Sequence, residues 1–192
     1  MAHDPRFDCG HLCLDFLATT HPEEQLDSAD RLRGWITAAG LVPKGTPLDH
    51  IAPPWLVGFR ELRGHIGQLV QGEPDRKPDS RPFDISLARV NELARAATPA
   101  LRAVRTDDGT FTRALDHTPD CAALLALIAR DTVELLTDPV ARAGLRRCAG
   151  DNCPIVYVDT SRGRRRRWCS SEICGNRERV ARHRRRAALA RA

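Results

Sequence analysis

Four of the seven cysteines form two closely spaced pairs near the C-terminal end of the chain. Four residues separate Cys148 from Cys153, four separate Cys169 from Cys174, and fifteen lie between the pairs. A zinc ion held by thiolates needs short ligand loops of this kind, because each loop supplies one edge of a coordination tetrahedron. The spacing therefore predicts one structural zinc ion, and four thiolate ligands leave no open coordination position for catalysis.

Two disulfides or four unconnected thiols are the alternative for these cysteines. The N-terminus has no basic region followed by a long apolar run, and no later stretch is long enough for a transmembrane helix. We therefore expect a cytoplasmic protein, in which thiols stay reduced. In that compartment, paired cysteines indicate metal ligands before disulfides.

The residues around the cysteine pairs predict a hairpin followed by a helix. Residues 155–157 have the pattern of a strand, residues 159–163 that of a turn, and residues 164–168 that of a returning strand. Gly175 suits an unusual backbone angle, and Asn176 is a candidate N-cap for the helix. This arrangement predicts a small treble-clef or zinc-ribbon-like finger.

Charge is distributed unevenly along the 192 residues. From Arg146 onward there are 14 arginines against four acidic residues, about +10; because the whole chain carries +5, residues 1–145 carry about −5. A basic C-terminal part attached to an acidic body is typical of a protein that contacts a polyanion through one part only.

Arginines of the C-terminal part are the candidate nucleic-acid contacts. They are Arg164, Arg165, Arg166, Arg167, Arg177, Arg179, Arg182, Arg184, Arg185 and Arg186. Arginine bonds phosphate as a fork and also contacts guanine, and neutralising about six phosphates predicts a log–log salt slope of about −5. Arg177 has a second interpretation, in which it braces the finger through a backbone group or Asp159.

The first 140 residues predict a mainly helical domain with one β-hairpin. Helices are expected from Ser28, as N-cap, to Gly40, after Pro53 until Gly72, over residues 85–97 and over about 119–136, with a proline-broken loop at 73–82. A hairpin is expected at 101–115, with Asp107, Asp108 and Gly109 in its turn. Residues 9–19 fit either a strand or a helix. With 42% hydrophobic residues the chain can bury one sizeable core beside the finger, so the predicted fold class is α+β.

Few residues of this domain indicate chemistry. Cys9, His11 and Cys13 are better explained as core residues than as a second metal site, because no further close pair completes a ligand set. Asp15 lies in an apolar run and needs a hydrogen bond, an ion pair or a helix terminus; a structural role is favoured over a catalytic one. The sequence lacks a phosphate-binding glycine loop, a nucleophile elbow and a paired-carboxylate motif, so we do not expect an enzyme.

The tetrapeptide CGNR, at residues 174–177, follows DTSRGRRRRW and the second cysteine pair. These residues, with the cysteine spacing, resemble the CGNR zinc finger found at the C-terminus of bacterial proteins regarded as stress-induced transcriptional regulators. Residues 12–16 with Thr19, then a helix ending in AAGL at Leu41, resemble the opening of the ABATE domain that usually precedes this finger, although Ala18 stands where that family often has Asn. The resemblance implies an ABATE-like domain over 1–140, a finger over 145–188 and DNA as the partner.

Two functions follow from these observations. The first is a zinc-dependent, DNA-binding transcriptional regulator whose N-terminal domain senses a small ligand or forms a homodimer. The second is an RNA-associated or protein-interaction adaptor that uses the finger as a platform. Recognition of RNA often adds exposed aromatic side chains, and the finger offers only Tyr157 and Trp168, so duplex DNA is favoured.

Overall fold

The computed structural model describes residues 5–71 and 81–189. The described elements, in chain order, are α1 (Leu12–Ala18), α2 (Ala29–Ala38), α3 (Pro53–Gln71), α4 (Arg81–Ala94), β1 (Leu101–Arg105), β2 (Phe111–Leu115), α5 (Cys121–Thr137), α6 (Pro139–Gly144), β3 (Leu145–Arg147), β4 (Val156–Val158) and α7 (Cys174–Leu189). The strands form two separate antiparallel hairpins, β1–β2 and β3–β4. We refer to helices α1–α6 with β1–β2 as the helical domain, and to the hairpin β3–β4 with the ligand loops and α7 as the finger. The α+β prediction is confirmed.

The central element of the helical domain is α5. It packs against α1, α3 and α4, and its apolar residues face inward, with Leu124, Ile128 and Leu135 fully buried. The short helix α1 is almost completely enclosed, since every residue from Cys13 to Ala18 is buried. Apolar side chains that recur every three or four residues turn one stripe of each helix toward this core.

The ends of α2 follow the capping chemistry predicted from the sequence, and α5 has a cap that was not predicted. The Ser28 side chain accepts a hydrogen bond from the backbone N–H of Arg31 at 3.3 Å, and Gly40 takes a φ of +71° just after α2. Asp120 caps α5 by accepting from the N–H of Ala123 at 2.7 Å. Each cap satisfies one of the N–H groups that a helix leaves unpaired at its start.

The predicted hairpin at residues 101–115 is also confirmed. Arg105 pairs with Phe111 at its closed end, and Gly109 adopts a φ of +85° in the connecting turn. The Asp108 carboxylate accepts from Thr106 and Thr110, and these hydrogen bonds lower its pKa to about 2. Asp and Gly in the turn therefore fix the hairpin as the sequence predicts.

Several boundaries differ from those expected or lie outside the described residues. Residues 12–18 form a helix, which resolves the choice between strand and helix, and α4 starts at Arg81 and ends at Ala94, so it begins and ends earlier than predicted. The helix stop at Gly72 and residues 73–80 of the predicted loop lie outside the described residues, whereas Arg81 and Pro82, which were predicted to belong to that loop, form the start of α4. Within the described part of the chain, no helix is long and apolar enough to cross a membrane.

Candidate zinc centre and nucleic-acid interface

The finger brings the sulfurs of Cys148, Cys153, Cys169 and Cys174 within 4.8 Å of one another. The Cys169 sulfur lies 3.7 Å from that of Cys153 and 3.6 Å from that of Cys174. Four sulfurs placed about 2.3 Å from a zinc ion form a tetrahedron with edges of about 3.8 Å. The four cysteines therefore fit one structural zinc ion.

Backbone hydrogen bonds of the β3–β4 hairpin position the first ligand loop, which carries Cys148 and Cys153. Strands β3 and β4 pair from Leu145↔Val158 to Arg147↔Val156, and the first loop lies between them. The N–H of Cys148 donates to Ile155 O at 2.9 Å just beyond the paired strands. The hairpin thus holds the first cysteine pair at its closed end.

The second ligand loop leads directly into α7. The hydroxyl of Ser170 accepts from the N–H groups of Glu172 and Ile173, both at 3.2 Å, and the helix begins at Cys174. Asn176 therefore lies inside the first turn, and its prediction as N-cap is wrong. Gly175 has no positive φ; its N–H donates to Ser170 O at 2.9 Å, so the cysteine itself starts the helix.

The Cys148 sulfur accepts two backbone N–H groups. They come from Cys169 at 3.3 Å and from Gly150 at 3.4 Å. Burial raises the pKa of the Cys148 thiol, but these hydrogen bonds outweigh burial and the net shift is downward. At Cys148 the loop therefore favours the thiolate that a zinc ion needs, whereas burial raises the pKa of Cys153 in the same loop.

The returning strand predicted at residues 164–168 is wrong, because β3 occupies the position beside β4. Arg164 has a φ of +47°, which is incompatible with a continuous strand. The segment is instead held by single hydrogen bonds, with Arg166 O accepting from the Tyr157 hydroxyl at 2.6 Å and Arg167 O from the N–H of Ala149 at 2.8 Å. Tertiary contacts thus replace the expected ladder.

Arg166 differs from the other candidate arginines because it is directed into the protein. Its guanidinium donates to Trp168 O at 2.9 Å and to Cys169 O, and lies 4.4 Å from the centre of the Tyr157 ring. Its backbone N–H donates to Asp159 at 2.9 Å. The bracing role considered for Arg177 therefore belongs to Arg166, while Arg177 is exposed and does not bond Asp159.

The remaining candidate arginines are exposed, and they fall into two groups. Three are engaged within the finger: Arg179 donates to Ser171 O at 3.2 Å, whereas Arg182 and Arg185 lie 4.0 and 2.9 Å from the Glu178 carboxylate. Six have no hydrogen-bond or ion-pair partner for the guanidinium among the described residues. These are Arg164, Arg165, Arg167, Arg177, Arg184 and Arg186.

A groove of about 450 Å³ borders the zinc centre on this basic side. Residues 165–168 line one part of it, and Asp8, Ser170, Ser171 and Glu172 line the rest. The indole of Trp168 is partly buried there and lies 5.3 Å from the guanidinium of Arg167. The groove therefore combines arginine side chains, hydroxyls and an aromatic face.

The N-terminal segment, residues 5–10, forms contacts with the finger that the sequence did not predict. The Arg6 guanidinium donates to the Cys169 sulfur at 3.1 Å and to Cys169 O at 2.9 Å. Further along, Val158 N–H donates to Cys9 O at 2.8 Å. In the sequence, the only feature of this segment that could indicate such a contact is an arginine two residues before an aspartate, at positions 6 and 8. Such a pair is too common to indicate a metal centre.

The candidates in the helical domain are buried or hydrogen-bonded within the fold, and Cys9 and Asp15 lie close to Asp8. Cys9 and Cys13 are fully buried, and the ring of His11 lies 3.2 Å from Asp131, whose carboxylate also accepts from the N–H of Cys13 at 2.7 Å. Asp15 is buried and accepts from the N–H of Cys9 at 2.9 Å. Burial raises the pKa of Asp15 to about 6.

Two family models match the chain. Residues 10–139 match the ABATE family, described as "Putative stress-induced transcription regulator", and residues 145–187 match the CGNR zinc finger. No curated protein shows significant similarity to the chain. Because the first match covers more than half of the sequence and the second coincides with the four clustered cysteines, this chain belongs to the ABATE family and carries a CGNR zinc finger at its C-terminal end.

Proposed function

We propose that the protein is a cytoplasmic bacterial transcriptional regulator that binds duplex DNA through its zinc-supported finger and has no enzymatic activity. In this proposal the N-terminal domain, residues 1–140, senses a ligand or forms a homodimer, and the finger, residues 145–188, contacts DNA. The observation that carries the proposal is the set of six exposed guanidinium groups without partners among the described residues.

These six arginines are suited to phosphate. A guanidinium without an internal partner keeps all of its N–H donors available for a phosphate oxygen. Arg177 and Arg184 are seven residues apart on α7 and so lie on one stripe, about 10 Å apart along the helix axis. Arg164, Arg165 and Arg167 add a second basic cluster beside the groove.

The helix α7 is too polar to be explained by packing alone. Its described side chains from Asn176 to Arg186 are exposed, apart from Glu178 and Ala181, which are partly buried. A helix that is polar on nearly all sides needs ion pairs or an external partner to be stable. The major groove of DNA admits one α-helix, and phosphates on either side of that groove complement the exposed arginines.

The ligand-sensing part of the proposal is supported by a cleft of about 370 Å³ between residues 43–47 and residues 113–118. Lys44, Arg113 and His117 line it together with Thr46 and Thr118. The two cationic side chains, Lys44 and Arg113, and the two hydroxyls suit a small anion, and the one carboxylate in the lining, Asp116, lies 3.8 Å from the His117 ring. Dimerisation is supported by the exposed apolar side chains of the helical domain, which include Val57, Ile85 and Phe111.

Selection from a random duplex DNA library at about 0.15 M salt tests the function, because nonspecific phosphate binding is weakened there. We expect the zinc-loaded full chain to enrich a sequence motif. The Arg177→Ala/Arg184→Ala double variant should lose this enrichment and keep its zinc, whereas Arg89→Ala, on the helical domain, should behave as the native chain. Absence of a motif with zinc present in the protein would contradict sequence-specific DNA binding.

The adaptor function is favoured by one specific observation. Ile173 and Val180 are exposed on the finger, at 48% and 42%, although both side chains are large and apolar. Because they are seven residues apart, they lie near one face of the helix, with Val180 inside α7 and Ile173 directly before its first residue. If selection finds no DNA motif and an Ile173→Ser variant loses a protein partner that Arg184→Ala retains, the adaptor is the correct function.

A further inference from the structure

The Arg6 side chain belongs to the N-terminal segment but ends at the zinc centre. One of its terminal nitrogens, Nη1, lies 3.1 Å from the Cys169 sulfur, and the other, Nη2, lies 2.9 Å from Cys169 O. Only 13% of the Arg6 side chain is exposed. The contact joins residues 163 positions apart in the chain, so the tertiary fold alone creates it.

Asp8 fixes the orientation of this guanidinium. Its carboxylate accepts from Arg6 Nε at 3.1 Å and from Nη2 at 2.8 Å, and it is about half exposed. The planar guanidinium is therefore clamped between a carboxylate on one side and a cysteine on the other. A side chain held at both edges has little freedom left to lose when it bonds the sulfur.

A donor at Cys169 acts on the whole ligand cluster. Its sulfur lies next to two other ligand sulfurs, at 3.6 and 3.7 Å, and four thiolates around a zinc ion carry a net charge of about −2. A cationic N–H donor offsets part of this charge and stabilises the electron pair of the sulfur. Donors that orient and stabilise metal ligands raise the affinity for the metal.

We propose that Arg6 is a positioning residue of the zinc centre: its guanidinium, clamped by Asp8, bonds the Cys169 thiolate and slows loss of zinc. The helical domain and its N-terminal segment thereby control how firmly the finger holds its metal. The proposal is independent of DNA binding, because it concerns the fit of zinc to the four cysteines. Arg177, exposed near Cys174, makes no such contact with a sulfur among the described residues.

The experiment uses the zinc-loaded full chain and an excess of a chromogenic chelator. Arg6→Met keeps the apolar stem of the side chain but removes the N–H donors. We expect zinc to transfer from this variant to the chelator about ten times faster than from the native chain. Arg6→Lys restores a positive N–H donor and should recover part of the native rate. Arg31→Ala, which removes a surface arginine paired with Asp27, is the matched control and should release zinc at the native rate.

A spectroscopic measurement separates this role from a merely structural one. In the cobalt-substituted chain, losing the N–H···S bond raises the energy of the sulfur electron pair. The thiolate-to-cobalt charge-transfer band should therefore move to lower energy in Arg6→Met and stay unchanged in Arg31→Ala. Native transfer rates together with a native cobalt spectrum in Arg6→Met would overturn the proposal.

Asp8→Ala keeps the test decisive if Arg6→Met does not fold. This variant leaves Arg6 in place but removes the clamp, so zinc release should accelerate by about two- to threefold and the cobalt band should move in the same direction. An Asp8→Ala chain with the native release rate and spectrum would overturn the proposal.

Discussion

The backbone N–H of Val158, in strand β4 of the finger, donates a hydrogen bond of 2.8 Å to the carbonyl oxygen of Cys9, which precedes α1. Arg166 adds a second link, since its guanidinium lies 3.3 Å from Asp8 O. The backbone of Gly10 approaches the Val158 side chain so closely that a Cβ there would lie 3.3 Å away from the Val158 Cβ. The finger is thus docked on the start of the helical domain by direct hydrogen bonds.

Replacing Cys169 by alanine should remove the zinc ion. Three thiolates remain, and a structural zinc site contributes much of the folding free energy of its finger, so we expect the metal content to fall from one zinc per chain to nearly none. Cys121→Ala is the matched control, because this partly buried cysteine of α5 lies outside the cluster. Metal analysis of both purified chains checks the prediction; a full zinc ion in Cys169→Ala would contradict it.

Two arginine substitutions should separate the arginines that bind DNA from the one that stabilises the finger. Arg184→Ala should keep the zinc ion, weaken DNA binding and reduce the steepness of the log–log salt dependence by about 0.9, because one phosphate contact is lost. Arg166→Ala removes the bonds to Trp168 O and Cys169 O and should destabilise the finger by about 2 kcal/mol. Binding titrations over a range of salt concentrations and denaturant unfolding measure the two effects. Loss of zinc from Arg184→Ala, or native stability of Arg166→Ala, would contradict this division.

Asp15 should make the stability of the protein depend on pH. Burial raises its pKa to about 6, against an ordinary value of 3.8, and the nearby carboxylates of Asp8 and Asp131 act in the same direction, while the Cys9 N–H opposes them. The fold therefore favours the protonated form. The stability that this proton provides is complete below about pH 3.8 and is lost as the pH rises through 6, a cost of about 3 kcal/mol above that.

Asp15→Asn should remove this cost, because the amide oxygen still accepts from the N–H of Cys9 without a charge. We expect the variant to be about 2 kcal/mol more stable than the native chain at pH 8 and nearly equal to it at pH 4. Asp116→Asn, at a largely exposed position, is the control and should change little at either pH. Denaturant unfolding of the native chain and of Asp15→Asn at the two pH values tests the prediction. If the difference in stability between the two chains is the same at pH 4 and pH 8, the assignment to Asp15 is contradicted.

Gly10→Ala should weaken docking of the finger. Gly10 has a φ of +94°, which strains any other residue, and the added Cβ would meet the Val158 side chain, so we expect a loss of about 1–2 kcal/mol. Gly34→Ala is a matched control in the interior of α2, where a Cβ meets nothing within 4 Å; it should stabilise the chain by about 0.5–1 kcal/mol. Thermal unfolding of both variants measures the difference, and equal shifts in the two would contradict the docking argument.

The sequence alone determined the features that depend on local chemistry. Paired cysteine spacing predicted the zinc centre, Ser28 and Gly40 delimited α2, and the turn at residues 107–109 fixed the hairpin between β1 and β2. Each of these depends on residues within a few positions of one another, or on ligand loops whose spacing is characteristic. The helical spacing of apolar side chains likewise predicted the main helices.

Only the tertiary structure decided which segments pair across long distances. The strand that pairs with β4 is β3 and not residues 164–168, because Tyr157 and Asp159 bind the backbone of Arg166 and leave it outside a ladder. The same contacts turn Arg166 inward, although in the sequence it is one of four identical neighbours. Arg6 reaches Cys169 for the same physical reason: a hydrogen bond between distant residues depends on how the whole chain packs, and no local pattern encodes it.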